Sequence, residues 1–344
     1  MTPIYNQLLI PFLTAMVVAI TMGGSGTAPA FSASYGANVI RKSIIPGLFG
    51  IMVFVGAFIA GKKTAGTMGS GILPSEFMDF TVVSIALFSI AVTMLISNIS
   101  GIPQSTSQAA VLALAAPALY FGRLDTHNLF VEIIPAWFIL PIISYFLSFF
   151  AGKYIYQPMR RRGLTIQRAQ NENKRHIWDI VLVIMALYVS FAIGSNNVAN
   201  AAGPLYTMTI NELHIRESDH IVILMLATLV VAPCFGIGAS LFGHKILKNT
   251  GKEIILFGKF EAVIIAFISG SLLLLASVVK GIPTSLVQVN VAAILGIGVA
   301  KMGHKNIFRK TQVKRFFTMW MIAPVISFLL SLLLIFLADK ANLL

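Results

Sequence analysis

Residues 80–108 read FTVVSIALFSIAVTMLISNISGIPQSTSQ: the apolar run Phe80–Ile99 is followed by a Gly-Ile-Pro turn and a row of polar side chains. A helix needs about 20 predominantly apolar residues to cross the hydrocarbon core of a bilayer, so this run is predicted to span a membrane. Seven further runs have the same character: Ile4–Met22, Ser43–Ala60, Glu132–Phe150, Ile177–Ile193, Ile221–Phe242, Phe260–Val279 and Phe316–Leu337.

The composition of the whole chain excludes a soluble protein. Of its 344 residues, 57% are hydrophobic and only 11% are charged, and the mean hydropathy is +0.86. A soluble globular protein carries about 25% charged residues. The single cysteine, Cys234, excludes an internal disulfide framework and a thiolate metal cluster. The segment Met1–Asn6 lacks the positive charge of a signal peptide, so the first run is expected to remain as a span. We therefore predict an all-α polytopic membrane protein.

Two shorter apolar segments, Ala109–Phe121 and Val289–Val299, are too short to cross a membrane alone. Each follows a stretch of glycine, proline and polar residues. We interpret each segment, together with the stretch before it, as one interrupted crossing. The chain is then predicted to cross the membrane about ten times, with up to twelve helices when the broken ones are counted separately.

The net charge of +13 lies in short loops between the apolar runs, which argues against nucleic acid as a partner. Four loops are basic, with net charges of +2, +6, +3 and +6: residues 41–42, 153–176, 243–259 and 301–315. The alternate loops carry 0, −1 and −2: residues 61–79, 121–135 and 211–220. Lys and Arg favour the cytoplasmic side. The central loop is therefore predicted to be cytoplasmic and both termini to lie outside the cell membrane.

Two sequence patterns occur twice. Residues 281–285 (GIPTS) repeat residues 101–105 (GIPQS) at an offset of 180, and residues 187–194 resemble residues 16–23 at an offset of 171. We therefore divide the chain as follows: a first repeat at 1–150, a basic cytoplasmic linker at 151–176 and a second repeat at 177–344. Because five crossings make one repeat, the second repeat must be inverted, an arrangement typical of secondary transporters. Duplication for stability alone would leave the polar breaks unexplained.

The repeated segments combine polar residues with helix breakers. Residues 23–26 (GGSG) and Pro29 are predicted to interrupt the first span, and Pro103 and Pro283 are predicted to end the helices before them. A helix that starts after each proline leaves free N–H groups and a positive dipole end, which attract an anion. Two such starts that face each other, with hydroxyl side chains, would form a cage of neutral donors. One such motif alone would be explained better by helix packing.

Residues 194–201 (GSNNVANA) and 103–108 (PQSTSQ) resemble two motifs of the inorganic phosphate transporter (PiT) family, Gly-Ala-Asn-Asp-Val-Ala-Asn-Ala and Pro-Val-Ser-Thr-Thr-His/Gln. The resemblance extends over essentially the whole chain. It implies an inverted-repeat anion symporter, often dimeric, in which the signature Asn and Asp residues help to bind sodium. It also implies that the Ser/Thr segments help to bind the anion.

The chain departs from the family pattern at the acidic positions. The family aspartate is replaced by Asn197 in the second half and by Gly26 in the first, where Ser25 and Pro29 also replace the asparagines. A hard cation prefers carboxylate and other oxygen ligands, so sodium binding should be weakened. The first-half pattern resembles the sulfate permease (CysP-like) branch of the family, which also lacks the acidic residue. Sulfate has no proton to donate, and a donor cage without carboxylates therefore favours sulfate over phosphate.

The prediction is a secondary active transporter that imports sulfate by symport with H⁺ or Na⁺; the alternatives are a phosphate symporter and an anion channel. An enzyme is not expected, nor is a catalytic residue, metal centre or cofactor, because the polar breaks contain no carboxylate, histidine or cysteine. The predicted anion-binding residues are Ser25, Thr27, Ser105, Thr106, Ser107, Thr284, Ser285, Asn196 and Asn197. The residues predicted to hold a coupling ion are Asn196, Asn197, Asn200, Gln108 and Gln288.

Overall fold

Apolar runs of membrane-spanning length form helices at all eight predicted positions. The structure, a computed structural model, describes residues 4–100, 104–162, 172–243, 247, 258–309 and 311–344. Its helices are, in chain order, α1 (Ile4–Gly36), α2 (Ile45–Ala60), α3 (Lys62–Ser70), α4 (Phe80–Ser100), α5 (Thr106–Tyr120), α6 (Ile134–Phe150), α7 (Gln157–Arg161), α8 (Glu172–Asn197), α9 (Ala199–Glu212), α10 (His220–Gly238), α11 (Lys259–Leu275), α12 (Leu286–Met302), α13 (His304–Phe308) and α14 (Thr311–Lys340).

Several of these helices are extended by a turn of wider, π-helical geometry. Such turns precede and follow α6, at Asn128–Ile133 and Ala151–Tyr156. Others follow α10 at Ala239–Gly243 and α11 at Ala276–Lys280. Among the described residues, eight helical segments are long and apolar enough to cross a membrane. Large apolar side chains cover their outer faces, as a lipid-facing surface requires. The prediction of an all-α polytopic membrane protein is confirmed.

The two short helices begin where the proline motifs predict. α5 starts at Thr106 and α12 at Leu286, and each is preceded by a serine N-cap in extended conformation. Pro283 lies in the extended segment before α12, where its carbonyl accepts a hydrogen bond from Trp137 Nε1 at 3.0 Å. Pro103 lies outside the described residues. Gly281 has a φ of +67°, and a Cβ atom there would lie 2.8 Å from the Lys63 carbonyl carbon, so this turn requires glycine.

The predicted interruption of the first span is wrong. α1 continues through residues 23–29 to Gly36 with Pro29 inside it. Its glycines allow a close crossing: a Cβ atom on Gly23 would overlap the Phe235 backbone of α10. Tight packing between helices thus offsets the low helix propensity of the glycines. The equivalent break in the second half is present but short, since only Val198 separates α8 from α9.

The helices beside α5 and α12 make matching contacts with them. In α6, Ser144 Oγ donates to the Val289 carbonyl of α12 at 2.8 Å. In α14, Ser327 Oγ donates to the Ala109 carbonyl of α5 at 2.9 Å, and Ser331 Oγ to that of Ala113 at 2.7 Å. Ala109 and Val289 are related by the offset of 180 residues found in the sequence. α5 and α12, which each follow a proline motif, are therefore held by similar serine-to-carbonyl hydrogen bonds from a neighbouring helix.

The ion pairs at the two ends of the bundle separate the loops as the charge pattern does, since Lys259 and Lys301 belong to basic loops and Glu132 to one of the alternate loops. At one end Asp179 pairs with Lys259, and Glu261 pairs with Lys301 at 2.8 Å. At the other end Lys280 pairs with Glu132 at 3.4 Å. We call these the basic end and the opposite end of the bundle. Which end faces the cytoplasm stays a prediction.

Candidate functional site

Two capped helix starts form the centre of the candidate site. Ser105 Oγ accepts a hydrogen bond from the Gln108 backbone N–H, and Ser285 Oγ accepts one from the Gln288 backbone N–H, both at 3.3 Å. Each serine thus satisfies one of the N–H groups that a helix start leaves without an intrahelical partner. The remaining first N–H groups of both helices stay available to a ligand.

The two starts are joined by a pair of glutamines. Gln108 Nε2 donates to Gln288 Oε1 at 3.1 Å, and Gln288 Nε2 donates to Gln108 Oε1 at 2.9 Å. Both side chains are buried. The helices run from this junction to opposite ends of the bundle. Tyr120, at the end of α5, bonds Asp339 near the chain terminus, whereas Lys301, at the end of α12, bonds Glu261 at the basic end. The junction therefore lies in the interior of the bundle.

Asn196 ties the second-half signature to both starts. Its Oδ1 accepts from the Thr284 backbone N–H at 3.0 Å and from Ser107 Oγ at 3.4 Å. Its Nδ2 donates to Ser277 Oγ at 2.8 Å and to the Ile282 carbonyl at 2.9 Å. The amide is fully buried and its hydrogen-bonding groups are all used. This residue positions the site and has no donor left for a ligand.

In the described hydrogen bonds, Asn197 and Asn200 use only the nitrogen atoms of their side-chain amides. Asn197 Nδ2 donates to Thr106 Oγ1 at 3.0 Å, and Asn200 Nδ2 donates to Ser107 Oγ at 3.1 Å. Their Oδ1 atoms are buried, and no described residue donates a hydrogen bond to them. A buried acceptor without a donor costs about 1–3 kcal/mol. These two oxygens are therefore the atoms best placed to accept a proton donor or a cation.

The hydroxyl groups differ in what they can still donate. Thr284 donates its hydroxyl proton to the Ile282 carbonyl, and Ser107 donates to Asn196. The hydroxyls of Ser105, Thr106 and Ser285 act only as acceptors in the described bonds. Their three protons remain available to an anion.

Ser25 and Thr27 are placed differently. Ser25 Oγ donates to the Met22 carbonyl at 3.0 Å, and Thr27 Oγ1 donates to the Gly23 carbonyl at 2.7 Å, both within α1. The Thr27 side chain also lies against Gly243. No described hydrogen bond joins either residue to the two helix starts, and their predicted role as anion ligands stays a prediction.

Gln104 is a site candidate that the sequence analysis missed. Its side chain is fully buried, and among the described residues neither Nε2 nor Oε1 has a hydrogen-bond partner. It immediately precedes the N-cap Ser105 and aligns with Thr284 at the offset of 180 residues. The alignment of Gln104 with Thr284, another polar residue, could have identified it as a site candidate from the sequence.

The site is electrically neutral apart from its dipoles. Residues 104–108, 194–201 and 281–288 contain no ionisable side chain. Among the described residues, no cluster of three or more histidine, cysteine or carboxylate side chains is placed to hold a metal ion. Helix starts and hydroxyl protons can bind an anion in this setting without a fixed cation, and water exclusion strengthens each bond.

Comparisons with known proteins also indicate an anion transporter. Residues 22–331 match the model of the phosphate transporter family. The chain is 31% identical to "Sulfate permease CysP" of Bacillus subtilis, over 97% of this chain and 89% of the relative. It is 24% identical to a protein of Pyrococcus abyssi named "Putative phosphate permease", over 94% of this chain and 96% of the relative.

A solved structure shares the fold. "The sodium-dependent phosphate transporter" superposes with a TM-score of 0.83 at 19% identity, covering 97% of this chain and 99% of that chain. The family match and the likeness to the permease of Bacillus subtilis both extend over most of the sequence. The chain therefore belongs to the phosphate transporter family and is a multi-pass membrane transport protein.

Proposed function

We propose that the chain is a secondary active transporter that imports a small tetrahedral oxyanion, with sulfate as its main substrate, in symport with H⁺ or Na⁺. The observation that carries this proposal is the meeting of two capped helix starts in the buried interior. They present free hydroxyl protons and N–H groups, and the segments that form them contain no ionisable side chain. Such a site binds an oxyanion and releases it again, because no fixed cation holds it.

Two observations favour sulfate. The hydroxyl protons of Ser105, Thr106 and Ser285 are donors, and sulfate is an acceptor at all four oxygens. The relative in Bacillus subtilis is named a sulfate permease.

Phosphate is the second candidate, and one observation supports it. The Oδ1 atoms of Asn197 and Asn200 are buried acceptors with no donor in the described part of the chain. Monohydrogen phosphate carries a proton that either oxygen could accept, whereas sulfate does not. If sulfate is the substrate, these oxygens must be satisfied by water or by the coupling ion. Gln108 and Gln288 bond each other, and Asn196 is fully bonded, so the other predicted ion ligands are less available.

The proposed transport cycle rests on the two inverted repeats, residues 1–150 and 177–344, which rearrange around the site between them. The paired serine caps and the matched contacts of α6 and α14 support this division. We further propose that the basic end faces the cytoplasm, that both termini lie outside the plasma membrane and that the protein forms a homodimer there.

Uptake of labelled sulfate into proteoliposomes tests the proposal. We expect saturable uptake, competition by phosphate and accumulation against a gradient when either a sodium or a proton gradient is imposed. Flux that neither saturates nor accumulates would identify an anion channel. Stronger uptake of phosphate than of sulfate would establish the second candidate.

Variants of the two N-cap serines test the site. Ser105→Ala and Ser285→Ala each remove a cap worth about 1 kcal/mol and a hydroxyl proton that faces the ligand, so uptake should fall about tenfold or more. Ser100→Ala is the matched control, because the one bond described for its hydroxyl goes to the Ile96 carbonyl in its own helix. Full activity in both cap variants would show that the anion binds elsewhere.

A further inference from the structure

We propose that a cavity between α1, α8, α11 and α12 is the part of the anion path that leads from the site to the basic end, with Asn290 as a ligand along it. This inference rests on the proposed function. It assigns a second, transient binding position that is separate from the two helix starts.

The cavity has a volume of about 170 Å³. This is far above the roughly 10–15 Å³ that one water molecule needs on the same measure. Its wall on α1 consists of small residues of the last three turns, including Ala30, Ala33 and Ser34. Ala266 of α11 and Ala186 of α8 lie on the other sides. The small side chains leave room for a hydrated ion.

The position of the cavity connects it to the site. On α12 it begins at Asn290, two residues beyond Gln288 of the glutamine pair. On α1 its lining begins at Pro29 and continues to Gly36 at the end of the helix. At its other end it is lined by Lys259 in the first turn of α11, at the basic end. The cavity therefore extends from next to the site toward the predicted cytoplasmic face.

The polar groups that line the cavity suit an anion. Asn290 is buried, and Ser269 Oγ lies 3.4 Å from its Oδ1, although the single proton of that hydroxyl is closer to the Ile265 carbonyl at 2.6 Å. No described hydrogen bond uses the Nδ2 donor of Asn290, so this donor can serve a ligand. Lys259 supplies a positive charge near the basic end, but its ion pair with Asp179 weakens its attraction for an anion. Among its described lining residues the cavity has no carboxylate. It can therefore pass an anion without holding it.

Cysteine accessibility tests this path. Cys234 is the only cysteine in the chain and is buried, so Cys234→Ala provides the background. Ala33→Cys and Ala266→Cys place thiols on facing walls of the cavity. Ala19→Cys is the matched control, four turns earlier on the same face of α1 and fully buried. A membrane-impermeant methanethiosulfonate is added to vesicles of either orientation.

We expect both cavity cysteines to react from the cytoplasmic side, Ala19→Cys to stay unreacted, and sulfate to slow the two reactions several-fold. Failure of either cavity cysteine to react from that side would overturn the proposal. Reaction at a rate that neither sulfate nor phosphate changes would also overturn it, since the cavity would then hold only water. A wild-type protein that transports neither anion would instead defeat the proposed function, a result obtained from uptake and independent of labelling.

Variants of Asn290 test its role as a ligand. Asn290→Asp places a negative charge on the path and should slow sulfate uptake about tenfold or more by repulsion. Asn290→Ser keeps a hydrogen-bond donor and should retain uptake within about threefold. Equal uptake by the wild-type protein and Asn290→Asp, with folding checked by thermal unfolding, would remove Asn290 from the path.

Discussion

The repeated patterns at residues 16–23 and 187–194 both end in a glycine at a close helix crossing, but the polar side chains that follow form different hydrogen bonds. Gly23 of α1 packs against the backbone of α10 at Phe235, and Gly194 of α8 packs against the backbone of α2 at Val53. At either position a Cβ atom would overlap a backbone carbonyl. The close contact between helices is thus present in both halves of the chain.

The residues two positions after these glycines separate the copies. Ser25 follows Gly23 and bonds the Met22 carbonyl of its own helix, whereas Asn196 follows Gly194 and reaches Ser277, Ile282, Thr284 and Ser107. A serine hydroxyl in a helix bonds the preceding turn readily. The longer amide, with two donors and one acceptor, can instead cross to other segments. The second copy therefore holds the two helix starts of the candidate site in place, while the first mainly packs against another helix.

The largest effect is expected from Asn196→Ala. The substitution removes the amide that holds Thr284 and Ser107 in place, and it leaves several buried groups without partners. The four hydrogen bonds that are lost, at somewhat under 1 kcal/mol each, amount to roughly 3 kcal/mol, so uptake should fall about 100-fold. Proteoliposome uptake measures the loss. Ser195→Ala is the matched control, because in the described bonds that hydroxyl donates to the Ala192 carbonyl alone. Similar uptake in the two variants would mean that the second copy also serves only packing.

A smaller effect is expected from the glutamine pair. Gln108→Ala and Gln288→Ala should each reduce uptake about fivefold to tenfold, because each breaks the same reciprocal amide contact. The double variant should be no worse than either single one, with an interaction energy of about 1–2 kcal/mol in the cycle. Losses that simply multiply in the double variant would show that each glutamine acts separately and that the halves are not coupled here.

The sequence predicted the positions of the helices well, but it predicted the hydrogen bonds of individual polar side chains poorly. The starts of α5 and α12 followed from Pro103 and Pro283, because proline and a serine cap act locally. The path of α1 through Pro29 could not be predicted, since its stability depends on the close crossing with α10, a contact distant in sequence. The same limit applies to the hydroxyl of Ser25 and to Gln104, whose surroundings are set by tertiary packing.

Gln104→Val is expected to give a moderate change. If the buried amide contacts the anion, the KM for sulfate should rise about fivefold, because one donor is lost. The thermal stability should stay equal or increase, since a buried polar group without a protein partner is replaced by an apolar one. Ser148→Ala is a matched control, because Ser148 Oγ is also buried without a described partner but packs near Gly296. An unchanged KM with raised stability would place Gln104 outside the site.

The smallest effect is expected from Ser25→Ala and Thr27→Ala. Each hydroxyl already donates its proton within α1, so its removal takes no described contact away from the helix starts. Uptake should stay within about twofold of the wild-type rate, as for a hydroxyl that bonds only its own helix. The sequence-based assignment of both residues as anion ligands predicts instead a loss like that of Ser105→Ala. Measured side by side, these variants decide between the two expectations. A tenfold loss at Ser25 would mean that its hydroxyl turns toward the anion during transport and that the first copy contributes to binding after all.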